Sequence, residues 1–193
     1  TLDPLATGLL IICTGKFTKK INEYQDREKE YTGTITLGAT TPSFDLETEV
    51  DTTFDLKDIS EEKIKQAAKS LEGKYDQMPP FHSAKMIDGE RAYLKARRGE
   101  TFEMRTREVE VKAFEITKIE MPYVHFRIEC SKGTYIRSLA RDLGESLNNG
   151  AHLSSLCRTR IGEFSLSQAM ELKDFLELVQ QQKALNTDDS ASA

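Results

Sequence analysis

The sequence predicts one α+β domain, a mixed and mostly antiparallel sheet flanked by helices, and three patterns carry that prediction. Tyr31, Gly33, Ile35 and Leu37 alternate with Thr32, Thr34 and Thr36, the two-residue period of a half-buried strand. Val124, Phe126, Ile128 and Cys130 alternate in the same way with Tyr123, His125, Arg127 and Glu129 behind a Met121-Pro122 turn, so this run pairs with the strand before it as an antiparallel hairpin. Ile136, Leu139, Ala140, Leu143 and Leu147 recur instead at helical spacing. Strands that pair with their sequence neighbours, with helices set apart from them, define α+β. At 193 residues the chain can bury one good core.

Along the chain, the apolar run Leu9-Leu10-Ile11-Ile12-Cys13 follows a turn at Asp3-Pro4 and is expected to be a buried strand. Thr14-Gly15 breaks it, and a short helix is expected over about 17–24. After the Tyr31–Leu37 strand, residues 40–58, acidic and containing Pro42, read as a long loop. Ser60 caps a helix whose Ile64, Ala67, Ala68 and Leu71 share a face, and Gly73 ends it. Pro79-Pro80 opens a basic segment with a short helix over about 90–98. Val109, Val111 and Ala113, then Phe114 and Ile116, give a strand with a slip in phase. The helix from Ile136 stops near Asn148-Asn149-Gly150. A last helix is expected to bury Leu172, Phe175, Leu176 and Val179, with a polar, frayed tail over 183–193.

At 38% hydrophobic and 31% charged, the composition is that of a soluble globular protein. No run approaches the roughly 18 apolar residues of a membrane helix, and no signal-peptide pattern opens the chain. Cys13, Cys130 and Cys157 are odd in number and widely spaced, which reads as reduced core cysteines in the cytoplasm. They form no ligand spacing with His82, His125 or His152, so no metal site is expected. The net charge of −5 hides segregation. Eight acids face one base between Thr40 and Glu62, whereas seven bases face four acids between Lys85 and Arg107. A local basic surface suffices to hold phosphates on an acidic protein.

Chemistry centres on Asp3, an acid held in a Pro- and Gly-containing turn beside an apolar run, where a carboxylate can be fixed rigidly. Four blocks then stand in order: Thr1-Leu2-Asp3-Pro4-Leu5-Ala6-Thr7-Gly8-Leu9-Leu10; Lys29-Glu30-Tyr31; Gln77-Met78-Pro79-Pro80-Phe81-His82-Ser83-Ala84-Lys85 with Gly89-Glu90-Arg91-Ala92-Tyr93; and Gly133-Thr134-Tyr135-Ile136-Arg137-Ser138-Leu139-Ala140-Arg141-Asp142-Leu143-Gly144. Together they resemble the bacterial tRNA pseudouridine-55 synthases, the TruB family, and Leu156-Cys157-Arg158-Thr159-Arg160-Ile161-Gly162-Glu163-Phe164 extends the likeness. The resemblance implies the pseudouridine-synthase fold, a catalytic domain over residues 1–182 and an RNA-binding thumb at about 77–101. It implies isomerisation of the T-loop uridine of tRNA, without a cofactor or metal, by a monomer that binds the T-arm.

By the same resemblance Asp3 is the catalytic carboxylate and Tyr31 the aromatic that stacks on the flipped base and takes the C5 proton. Arg137 fits as the partner of Asp3, because a guanidinium is permanently charged and forked to match a carboxylate. Tyr135 matches a pocket tyrosine, Leu156 an apolar contact beneath the base, and Asp45 a polar residue near the substrate nucleotide. Lys85, Arg91, Tyr93 and Arg97 are the thumb residues expected on the RNA. The family's motif is preceded by Gly-His-x-Gly and a longer leading segment, so the chain is expected to be N-terminally incomplete. The 29 residues after Phe164 are too few for the extra RNA-binding domain of longer members. Two other readings remain beside the isomerase: a tRNA-folding chaperone, in which binding dominates, and a carboxylate glycosidase, which requires two opposed acids.

Overall fold

The computed structural model describes residues 2–190, with side chains from 2 to 182. In chain order, β1 (Thr7–Gly8) leads through a 3-10 turn, Gly15–Lys20, to α1 (Ile21–Gln25) and the long strand β2 (Lys29–Leu37). A small ladder of β3 (Ala39–Thr40) and β4 (Thr52–Thr53) closes the acidic loop, followed by α2 (Glu61–Ser70) and β5 (Gly73–Gln77). An arm then carries a short hairpin, β6 (Met86–Ile87) and β7 (Glu90–Arg91), and α3 (Ala92–Arg97). The chain returns through β8 (Arg107–Glu120), β9 (Tyr123–Cys130), α4 (Ile136–Ser146), β10 (Ala151–Ile161), β11 (Phe164–Ser165) and α5 (Leu172–Ser190).

One seven-stranded sheet runs in the order β1-β10-β2-β9-β8-β5, with β11 attached to β10. Among the described residues only the β1·β10 strand pair is parallel, so the expected mixed, mostly antiparallel sheet is present. The phase slip read at Ala113 is real: the β8·β9 register shifts between Val111 and Ala113. Such a shift moves side chains to the other face unless a bulge absorbs it. Ile35, Leu37, Val124, Phe126 and Ile128 form the inner face, covered by Ile64, Ala67 and Ala68 of α2 and by Ile136, Leu139, Ala140 and Leu143 of α4. Each large side chain fully removed from water there contributes about 1.5–3 kcal/mol. Ser60 accepts from the Lys63 N–H, as its position before the α2 stripe predicts.

Several expectations change. The 9–13 run is not a strand: pairing stops at Gly8, whose φ of +107° turns the chain away from β10, and Leu10 and Ile12 lie exposed. Strands β5 and β10 were not expected. The face that should bury α5 does not, because Leu172, Phe175 and Leu176 are all at least half exposed. The backbone of α5 runs on to Ser190, and 191–193 lie outside the described residues. Of the three cysteines only Cys130 is buried in the core, while Cys13 and Cys157 are half-buried.

Candidate active site

Arg137 is the second residue of α4, off its apolar stripe, yet its side chain is only 3% exposed. The reason is tertiary: the Asp3 turn and the 43–45 loop fold across it. Its Nε donates to Asp3 Oδ2 at 2.9 Å and its Nη2 to Asp3 Oδ1 at 2.9 Å, a two-pronged pair. Nη1 donates to the Ser43 carbonyl at 3.2 Å. Asp45 Oδ2 lies 3.5 Å from the same Nε, so one guanidinium serves two carboxylates. Asp45 is held by the Glu47 N–H on its other oxygen, and its backbone bridges to Leu153 of β10.

The Asp3 turn is fixed from below. Ala6 N–H donates to Asp3 O, closing the turn, and β1 pairs in parallel with Cys157 and Arg158. Leu9 N–H reaches Arg158 O at 2.8 Å, and Arg158 Nε returns to Leu9 O at 2.8 Å. The Asp3 turn is thus tied to β10 by main chain and side chain together.

A cavity of about 600 Å³ opens beside this pair, lined by Asp3, Tyr31, Tyr135, Arg137, Leu156 and Arg158 among others. That size suits one nucleotide-scale ligand. Tyr31 stands opposite Arg158 in the β2·β10 register, next to a shift between Arg158 and Arg160. Burial pushes its hydroxyl up to about 12, and the Cys130 thiol adds to this, while a hydrogen bond and charge from Arg158 pull the other way. At neutral pH the phenol therefore stays protonated.

Tyr135 and Leu156 line the cavity as expected, with Leu156 almost completely buried. Asp45 does not line it; it sits behind Arg137 and borders a small side pocket shared with Asp3, Leu5 and Ala6. Lys85, Arg91, Tyr93 and Arg97 lie out on the arm, away from the cavity wall, which the arm reaches through Ala84. Their charges are partly spent within the protein. Arg97 pairs with Glu47 at 2.9 Å and lies over the Tyr93 ring, Lys85 donates to Arg105 O, and Arg91 donates to Ala84 O.

Two residues escaped the sequence reading. Arg158 lies in the block that resembles the family, but the register shift between Arg158 and Arg160 hides its strand from any two-residue period. Gln77, only 1% exposed, donates from Nε2 to Tyr75 Oη (2.9 Å) and Tyr135 O (3.2 Å), and accepts from Tyr135 N–H (2.8 Å). Its amide thus takes the place of a neighbouring strand for the residue that caps α4. Ser138 Oγ adds a bond to Met78 O at 2.7 Å, so the base of the arm is anchored to the helix that carries Arg137.

Residues 1–136 match the TruB family pseudouridylate synthase N-terminal domain, and residues 137–190 the tRNA pseudouridylate synthase B C-terminal domain. The tRNA pseudouridine synthase B of Flavobacterium johnsoniae is 54% identical over 180 residues, covering 93% of this chain and 79% of that protein. That of Phocaeicola vulgatus is 49% identical over 183 residues, covering 95% and 78%. Among solved structures, a Cbf5-Nop10-Gar1 complex contains a chain with a TM-score of 0.63 and 31% identity, covering 85% of this chain and 39% of that one. The chain belongs to the TruB family of tRNA pseudouridine synthases, which are isomerases.

Proposed function

We propose that this chain converts the T-loop uridine at position 55 of tRNA to pseudouridine, with Asp3 as the catalytic carboxylate. The observation that carries the proposal is the two-pronged Asp3–Arg137 pair at the wall of a nucleotide-sized cavity. The side chain of Asp3 is 32% exposed while that of Arg137 is 3% exposed, so the acid faces the cavity and the cation braces it from behind. A carboxylate fixed in that way can attack or stabilise charge as the glycosidic bond breaks.

In the reaction the N1–C1′ bond breaks, the uracil turns, and a C5–C1′ bond forms. C5 then loses its proton and N1 gains one, so the product is an isomer and no co-reactant is consumed. Arg137 holds Asp3 aimed into the cavity throughout. Tyr31 offers its ring to the extruded base, as enzymes that unstack a base require. Its hydroxyl, hydrogen-bonded to Arg158, relays the C5 proton: because burial keeps the phenol protonated, it passes its own proton to solvent in the open cavity as the C5 proton arrives, and N1 takes one proton back from solvent, so the count balances. Leu156 supports the base from the apolar side and Tyr135 closes the wall. The arm, with Lys85, Arg91, Tyr93 and Arg97, meets the T-arm. The protein acts as a monomer in the cytoplasm.

Multiple-turnover tritium release from tRNA labelled at uridine C5 tests this reading. Wild-type protein should release tritium from position 55 and Asp3→Asn should not. Binding without release would instead make the chain a tRNA-folding chaperone.

A further inference from the structure

The cavity carries more positive charge than Asp3 requires. Lys29, Arg107, Lys132, Arg137 and Arg158 line it against two carboxylates, Asp3 and Asp26. Four of the five cations have protein partners. Arg137 holds Asp3, Lys132 pairs with Asp26 at 2.7 Å, Lys29 donates to the Gln25 and Arg27 carbonyls, and Arg158 donates to Leu9 O. Among the described residues Arg107 has neither a hydrogen bond nor an ion pair from its side chain.

Arg107 is nevertheless well placed. It is the first residue of β8, where the arm rejoins the sheet, and its backbone pairs with Gln77 in the register of β5. Its guanidinium lies directly against Gly133, in the turn that leads to Tyr135 and Arg137. A Cβ at position 133 would collide with it, and the φ of +78° there also favours glycine. The absence of a side chain at 133 lets the guanidinium rest against that turn at the cavity wall.

From this geometry we infer that Arg107 is an anion subsite for a backbone phosphate flanking the isomerised uridine. The inference rests on the function proposed above: a uridine that reaches Asp3 brings its own neighbouring phosphates to the same cavity. A guanidinium with its donors free matches a phosphate in charge and in forked geometry. The excess of cations in this cavity accounts for RNA binding by a chain of net charge −5.

The test is Arg107→Met, with Arg107→Lys beside it, on a T-arm stem-loop that contains the target uridine. Arg107 is exposed, so thermal unfolding should be unchanged. Arg107→Met should bind about tenfold more weakly at low salt, and its plot of log affinity against log salt should be shallower by about 0.7–0.9, the loss of one phosphate contact. Single methylphosphonates scanned around the target should weaken wild-type binding at one position and leave Arg107→Met unaffected there. Arg107→Lys should restore the salt slope. Equal slopes and equal methylphosphonate profiles in wild type and Arg107→Met, with wild type still isomerising the stem-loop, would overturn the subsite alone. Wild-type protein that neither binds nor isomerises the RNA would overturn the functional reading as well.

Discussion

Replacing Arg137 by Met separates what the arginine does for the fold from what it does for the reaction. The substitution leaves two carboxylates behind. Asp3, with its side chain 32% exposed, can recruit water, but Asp45, at 6%, cannot. Asp45 keeps the Glu47 N–H on one oxygen and loses the cation beside the other, while Ser43 O loses its donor. Breaking a buried ion pair on one side costs about 3–5 kcal/mol. Against a total stability of about 5–15 kcal/mol this is a large share. With a urea m-value of about 2 kcal/mol/M, the midpoint should fall by about 2 M. Arg137→Met combined with Asp45→Asn should recover at least half of the loss, because it removes the charge that burial penalises. Asp3→Asn, by contrast, should stay within about 1 kcal/mol of wild type, since its carboxylate already meets solvent. Both Asp3→Asn and Arg137→Met should be at least about 100-fold slower in single-turnover pseudouridine formation. Urea unfolding followed by circular dichroism, run beside the tritium assay, gives both readouts. If Arg137→Met is nearly as stable as wild type, or if Asp45→Asn fails to rescue it, the two-carboxylate account is wrong.

Three further outcomes are expected. Tyr31→Phe keeps the ring and should bind tRNA within about threefold of wild type yet stall before C5 deprotonation, whereas Tyr31→Leu should also lose about 1–3 kcal/mol of binding; normal turnover by Tyr31→Phe in rapid-quench experiments would move the proton acceptor elsewhere. Gln77→Leu leaves the Tyr135 N–H without a partner, at about 1–3 kcal/mol, while the Tyr135 C=O keeps the Leu139 N–H, and it loosens the first turn of α4; isomerisation should fall at least tenfold with tRNA affinity little changed, and an equal loss of both would refute a role through Arg137. Alkali should destabilise the fold, because burial pushes both the Cys130 thiol and the Tyr31 hydroxyl up to about 12. The folded state holds protons that the unfolded chain releases from about pH 9 for the thiol and about pH 10 for the phenol, so this stability is complete below those values and is lost as pH rises to about 12. Cys130→Ala should flatten the fall in unfolding free energy between pH 8 and pH 10, and an unchanged slope would show that the thiol is not its source.

Local pattern determined much of this protein. The alternation at Tyr31–Leu37 and Tyr123–Cys130, the stripe from Ile136 to Leu143 and the Ser60 cap are visible in sequence because each depends on residues a few positions apart. Strand β10 was not legible. Its register against β2 shifts between Leu153 and Ser155 and again between Arg158 and Arg160, so no single two-residue period runs through it. The amphipathic pattern of α5 showed which face is apolar but not what that face meets: Leu172, Phe175 and Leu176 meet solvent and only Val179 is half-buried. Asp3 and Arg137 could each be singled out from their motifs. Their pairing across 134 positions, the second carboxylate at Asp45 and the Gln77 amide that braces Tyr135 are products of the tertiary fold. Periodicity records the direction in which a side chain points; only the closed sheet, with the Asp3 turn pinned to β10 and α4 packed beneath it, determines which side chains meet.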